Sequence, residues 1–420
     1  MKKYLLTFAT LAVTLTAQAQ PHIATDKLSD YDFNAAIGFA QGITGGEDEN
    51  IVTVTTYAAF KSALAGTAKK TIYVDGTITF DGILSVSSVK NKTIVGMPGA
   101  TFQNLNEDKA TSESDKSAAI KKTGILELKK CDNIIIRNLT FQSAGACDFN
   151  GNDNLHLSGS TNIWVDHCDF QDGVDGNLDC TNGSDNVCVS WCRFRYLKSP
   201  REHGYGGSTN DHRFTNLWGN SDSNTSDSGK LRTTFYSCWW DEGCKERMPR
   251  VRFGLVHVLN CLYSSSVTNY CVGGGYKSNV YIEGCAFTSS KAKNTPWKNY
   301  ATSGSKTDYN YTISNCQGTG DKQNRSGSND YFVPADHYTY SSYDASIVES
   351  VVTDSETGAG PTIDIYTDDP SGITLASDQS ARTVSWYDLN GRRLDAPAKG
   401  VSIRVERMAN GQTVTTKVVR

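Results

Sequence analysis

Several things are missing from this 420-residue chain. After its first twenty residues, no stretch approaches the ~20 consecutive apolar residues that a membrane-spanning helix needs. Charge of one sign is not in excess either: the net charge of −4 is small for this length, which excludes a whole-surface field of the kind that attracts nucleic acid or anionic membranes. There are 12 cysteines but no C-x-x-C pair, so the ligand spacing of a structural zinc site is absent. Proline is scarce, with 9 residues against 37 glycines, and no helix-length amphipathic segment stands out. What remains suits many short strands joined by tight turns.

The N-terminus reads as an export signal. Lys2 and Lys3 precede an apolar run from Leu5 to Leu15, followed by Ala17, Gln18 and Ala19. The run is too short for a bilayer core of ~30 Å, so residues 1–19 are expected to be a signal peptide on a secreted protein. Disulfides are therefore permitted.

The cysteines follow a repeat. Segments IIIRNLTF, IWVDHCDF, VCVSWCRF, HRFTNLW, TTFYSCWW, VHVLNCLY, VYIEGCAF and YTISNCQG share a β-rich run ending in Asn or Cys, with an aromatic or Leu close behind. The shared column is Asn138, Cys168, Cys192, Asn216, Cys238, Cys261, Cys285 and Cys316, and its central steps are 24, 24, 22, 23 and 24 residues. A fixed period in that range is a solenoid signature. With strand and turn but no helix in each repeat, the expected fold is all-β, a right-handed single-stranded parallel β-helix over residues 20–360. Each coil buries its apolar face only against its neighbours, ~4.8 Å away. The column cysteines then read as small thiols stacked in a ladder, and Cys238, Cys261 and Cys285 are expected to be free. A loose stretch at 361–372 reads as a linker. Residues 373–420, with Asn390-Gly391 and Asn410-Gly411 as turn signals, read as a separate small β-module.

Charge is segregated along the central coils. From Asp148 to Asp185 there are eight aspartates and no Lys, Arg or Glu; from Arg193 to Arg252 there are eleven Lys or Arg. Oxygen-only clusters suit a hard cation such as Ca²⁺. Asp175 and Asp179 would stand ~13 Å apart in a straight strand, so a shared ion requires a bend, which Gly176 permits. In RMPRVRFG, Pro249 interrupts strand regularity before Arg250 and Arg252. Arginines converging on one groove call for a bound anion or for acid partners, and Asp241, Glu242 and Glu246 are close by in sequence. His167 has a strand-end context that favours a structural role over that of a general base.

These residues, together with IGFAQGITGG, NKTIVG, NIWVDHCDF, DGNLD, SDSGKLR and RMPRVRFGLVHVLN, resemble polysaccharide lyase family 1, the pectate lyases, over most of the mature chain. The resemblance implies a Ca²⁺-dependent lyase cleaving polygalacturonate by β-elimination. It puts the calcium carboxylates on Asp153, Asp175 and Asp179, the catalytic arginine on Arg247 and a substrate-binding arginine on Arg252. The family's substrate-binding Lys has no clean counterpart in the enlarged stretch LKSPREHGYGGSTNDHRFTNLWG; Lys198 is the first candidate and Arg213 the alternative. Retention of three carboxylates favours pectate over the methylated substrate of the related pectin lyases. A non-catalytic β-helix that binds acidic glycans is the competing reading. Neither nucleic acid nor a membrane span is expected, and the protein is expected to be a monomer. Residues 373–420 resemble the sorting modules of type IX secretion cargo.

Overall fold

In the computed structural model, residues 21–25, 28–32, 34–301, 306–326 and 330–367 are described, together with 383–387, 392–394, 401–407 and 413–419 near the C-terminus. The proposed signal peptide, the linker beyond Thr367 and both Asn-Gly turns lie outside the described residues. The chain divides into two compact units, Ile23–Tyr366 and the terminal segments. Among the described residues, no helix is long and apolar enough to cross a membrane.

The larger unit is a parallel β-helix. It consists of one sheet of 11 strands and two sheets of 8, each running through successive coils. Among the described residues, all strand pairs in these sheets are parallel except that between Tyr309–Ser314 and Lys322–Ser326, which turns back and closes the first sheet. The opposite end is sealed by the helix Tyr57–Leu64, whose N-cap Thr56 accepts from Ala59 N and whose Phe60 packs on Phe80 and Phe102.

Alternation along each strand sends one set of side chains inward. In the second sheet Phe102, Phe141, Phe170, Phe194, Trp240, Tyr263 and Phe287 occupy one register position in successive coils, with ring centroids 4.6 to 5.8 Å apart. This aromatic ladder runs beside a thiol ladder. Cys168, Cys192, Cys238, Cys261, Cys285 and Cys316 each follow a residue in the left-handed region, such as His167 (φ 46), Trp191 (φ 49) and Ser237 (φ 52), that turns the chain out of the first sheet. The backbone N–H of Cys238 faces Cys261 Sγ at 3.3 Å, and that of Cys261 faces Cys285 Sγ at 3.3 Å. All 12 cysteines are free thiols.

The repeat column needs two corrections. Asp166 pairs with Arg137, so Asn138 shares the register of His167, and Leu139 that of Cys168. Asn216 is not in the column at all. It precedes the third-sheet strand Leu217–Trp218, where Trp218 pairs with Cys180. The coil between Cys192 and Cys238 is a single one, enlarged by two excursions, 197–216 and 219–232, which together add about one period and imitated an extra repeat.

The outer face of the first sheet is covered by the chain's own ends. Tyr31 O accepts from Tyr236 OH at 2.6 Å, Tyr343 O accepts from Asn260 Nδ2 at 2.7 Å, and Ile363 N donates to Asn138 Oδ1 at 2.9 Å. Ile363 is buried, so residues 361–366, read from sequence as linker, are packed on the helix. In the other unit, Thr383–Tyr387, Arg393–Leu394, Val401–Arg407 and Thr413–Val419 form an antiparallel four-stranded sheet.

Candidate active site

The third sheet carries the chemistry. Its outward row runs through Glu127, His156, Asp179, Leu217, Arg250, Gly273 and Lys298 in successive coils, so one surface line passes from acid to base. Asp153 enters from the coil before Asp179, two residues ahead of Leu155–Ser158, and Asp175 lies in the bend before Leu178–Thr181. Asn154 N donates to Gly176 O at 3.1 Å, which brings the Asp153 and Asp175 segments side by side.

Gly176 does more than allow that bend, for its φ is not in the left-handed region. A Cβ there would lie 2.8 Å from Asp153 Oδ1 and 2.9 Å from Asp179 Oδ1. The glycine leaves a hollow on which two carboxylates converge. Asp153 Oδ1 is buried without a hydrogen-bond partner, whereas Asp179 Oδ1 accepts from Leu217 N at 2.9 Å. Burial, followed by the charges of Asp179 and Asp175, pushes the Asp153 carboxyl well above the usual carboxylate range despite the pull of Arg247. Burial likewise raises Asp179 to about 7, against the pull of Arg247 and with the push of Asp175. Two acids held high by burial and by neighbouring carboxylates, with an orphaned oxygen and an open hollow between them, fit a hard divalent cation bound through oxygen.

Facing them is Arg247, in the left-handed region at φ 61, with its Cζ 4.5 Å over the Phe214 ring. Its Nε is buried without a hydrogen-bond partner, and among the described residues no carboxylate lies within ion-pair distance of it. The expected acid partners are engaged elsewhere: Asp241 takes Arg193 Nε at 2.9 Å, Glu242 takes Ser266, and Glu246 takes Asn269. Those three acids therefore do not pair with the arginine cluster. Arg250 has no acid partner among the described residues either, and stacks on Tyr300 at 4.0 Å.

A family model described as pectate lyase matches residues 2–361. The chain belongs to the pectate lyase family. It is 30% identical over 250 residues to a pectate trisaccharide-lyase of Thermotoga maritima, a match covering 57% of each chain, so it spans little more than half of that relative. It is 32% identical to pectate lyase A of Aspergillus niger, over 69% of this chain and 78% of the relative. A solved structure of a pectate lyase bound to hexasaccharide superposes with a TM-score of 0.58, at 22% identity, over 77% of this chain and 96% of that one. At that identity the likeness is one of fold.

The remaining sequence candidates of this pectate lyase family member are placed less centrally. Arg252 donates from Nε to Asp222 Oδ1 at 2.7 Å and from Nη1 to Gly219 O at 2.6 Å, which fixes its fork beside Arg250. Lys198 Nζ donates to Ser143 O at 2.9 Å and its backbone N–H to Asp172, and Arg213 is bidentate to Asp211 at 2.7 and 2.8 Å. Neither is brought against Asp153 or Asp179. His167 is buried on the first sheet, Nδ1 2.9 Å from Asp166 Oδ2 and stacked on Trp191. Sequence reasoning missed Phe214 and His212, the wall between Arg247 and Asp175: His212 Nε2 lies 2.8 Å from Asp175 Oδ1, with its ring 4.2 Å from Phe214. Both sit in the enlarged stretch, where no repeat marks them.

Proposed function

We propose that this protein is an exported, calcium-dependent pectate lyase that cleaves α-1,4-linked polygalacturonate by β-elimination. The observation that carries the reading is an arginine without an acid partner facing a hollow of buried carboxylates. Asp153, Asp175 and Asp179 would hold Ca²⁺. The ion would supply charge neutralisation at the uronate carboxylate, where a carbanion next to it otherwise accumulates negative charge.

The chain's own side chains do the rest. Arg252, already oriented by Asp222 and Gly219, and unpaired Arg250 offer guanidinium donors to uronate carboxylates along the outward row. Arg247 takes the C5 proton, the C–H electron pair becomes the C4–C5 double bond, and the C4–O bond breaks with its pair on the departing oxygen, which takes a proton from water. A guanidinium is ordinarily protonated to beyond pH ~12, so this role requires neighbouring positive charge to favour its neutral form and implies a rate that rises into alkaline pH. The aromatic face of Phe214 holds the guanidinium plane and keeps water from one side of it. Lys198 remains the proposed second basic ligand, with Arg213 as the alternative; either would have to leave its present partner.

Support for substrate class comes from the relatives named pectate lyase and from the neighbour bound to hexasaccharide. Support for a separable tail comes from the family match ending at residue 361. We read residues 373–420 as a sorting-type module and 1–19 as the export signal. The deciding experiment is the ultraviolet absorbance of unsaturated uronate released from polygalacturonate, with and without chelator. Chelator-sensitive product supports the proposal. Tight binding of pectate with no unsaturated product would instead establish the non-catalytic glycan binder.

A further inference from the structure

We infer that Asp148, Asp175 and His212 form a second divalent-cation site, of mixed nitrogen and oxygen ligation, suited to a transition-series ion such as Mn²⁺. One donor atom from each residue lies within 4.8 Å of the other two. The three come from separate segments: the turn before Asp153, the bend before Asp179, and the excursion 197–216.

The excursion is built against Asp148. Ser208 N donates to Asp148 Oδ2 at 2.7 Å and Thr209 N at 3.1 Å, while Gly204 N donates to Asp148 O at 2.8 Å. Gly207 passes so close that a Cβ there would lie 1.9 Å from Asp148 O. These contacts consume one carboxylate oxygen and hold the other, Oδ1, 3.7 Å from His212 Nδ1. Outer hydrogen bonds of this kind orient a ligating carboxylate.

His212 itself points to a ligand. Its side chain is only 8% exposed, and neither ring nitrogen has a hydrogen-bond partner. The Asp175 oxygen 2.8 Å from Nε2 lies off the N–H direction, so proximity is not matched by a hydrogen bond. A buried imidazole with two orphaned nitrogens between two carboxylates is costly without something that uses a lone pair. Two ligand atoms 2.8 Å apart and ~2.1 Å from one ion subtend about 84°, near the right angle of adjacent octahedral ligands; tetrahedral zinc would spread them to about 3.4 Å. Asp148, whose donor oxygen lies within 4.8 Å of the other two donors, completes the set. The nitrogen donor disfavours Ca²⁺, which takes oxygen. Asp175 is the one residue shared with the proposed calcium site, and its two oxygens can serve one ion each.

The test uses Mn²⁺, for which the buried thiol columns are poor ligands, added to the full-length protein in saturating Ca²⁺ and followed by electron paramagnetic resonance. The expected result is one Mn²⁺ that excess Ca²⁺ does not displace and that shows imidazole ¹⁴N coupling. H212Q and D148N should weaken it at least tenfold, with H212Q losing the nitrogen coupling and circular dichroism confirming an intact fold. D153N and D179N should retain it. Displacement of all Mn²⁺ by Ca²⁺, or unchanged binding in H212Q, overturns the inference and leaves the trio as an ion-paired cluster. Calorimetric Ca²⁺ titration of D153N checks the calcium reading separately: Ca²⁺ binding that survives there defeats that reading without touching the Mn²⁺ result.

Discussion

Two buried aspartates of one coil are held in opposite states. Asp166 lies on the first sheet and Asp179 on the third. Burial pushes Asp166 up, but the charges of His167 and Arg137 and the bonds from His167 and Ser190 outweigh it and hold the group at about 2. Burial pushes Asp179 up as well, and there the single opposing charge, Arg247, loses, leaving it at about 7. Arg137 Nε sits 2.8 Å from Asp166 and Ser190 Oγ donates to its other oxygen at 2.6 Å, so the first cluster supplies its own counter-charge. The third-sheet cluster does not. Charge that the fold neutralises clamps the chain ends onto the first sheet; charge that it leaves open waits for a ligand.

The largest effect should come from the unpaired cation. Arg247→Lys keeps the charge but misplaces the nitrogen, so kcat on polygalacturonate should fall by ~10² to 10⁴ with KM nearly unchanged. Arg252→Lys should mainly raise KM through the lost bidentate contact. Steady-state kinetics in saturating calcium separate the two, and wild-type kcat in Arg247→Lys would remove it from the mechanism.

Neutralising the two aspartates should move stability in opposite directions. Asp166→Asn strands Arg137 in the interior and should cost ~3 to 5 kcal/mol. In chelator near pH 8, Asp179→Asn relieves a carboxylate that burial and Asp175 disfavour, and should stabilise by at least about 1 kcal/mol while abolishing calcium-dependent turnover. Denaturant melts of both variants measure the signs, and equal signs would break the comparison.

The pH profile sharpens it. Asp179 is raised in the folded state, so cation-free protein should lose stability as pH rises from the unfolded carboxylate range of ~4 through about 7. Asp166 is lowered, so its contribution is present above ~4 and is lost as pH falls toward about 2. Chelated samples melted from pH 3 to 8 should show the upper slope, and Asp179→Asn should flatten it. The smallest effect is expected from deleting residues 373–420: kcat/KM should be unchanged, because every proposed site residue lies between Asp148 and Arg252 in the other compact unit. A large loss in folded truncated protein would show that the tail serves the site.

Much of this was legible in the residues. The strand and turn period, the thiol column from Cys238 to Cys285 and the aromatic two places behind it are local patterns, repeated because each coil must present the same inward face to the next. The acid-to-base change between coils also survived folding, with Asp153, Asp179 and Arg247 brought within electrostatic reach of one another. Asn216 misled because two excursions that together add about one period preserved the spacing while leaving the sheet. His212 and Phe214 were invisible because an excursion repeats nothing, and Gly176 was read as a hinge when its lasting contribution is the room left by a missing Cβ.

The sequence by itself determined the solenoid, since period, alternation and left-handed turn positions such as Asn260 (φ 51) and Asn315 (φ 54) are properties of short segments. Only the tertiary structure decided which charges were spent. Arg137 and Asp166 are 29 residues apart and bonded, and Asp241, directly after the strand Trp239–Trp240, went to Arg193 rather than to the arginines near it in sequence. Pairing and desolvation arise from stacking one coil on another, and a one-dimensional string does not contain the neighbours that stacking supplies.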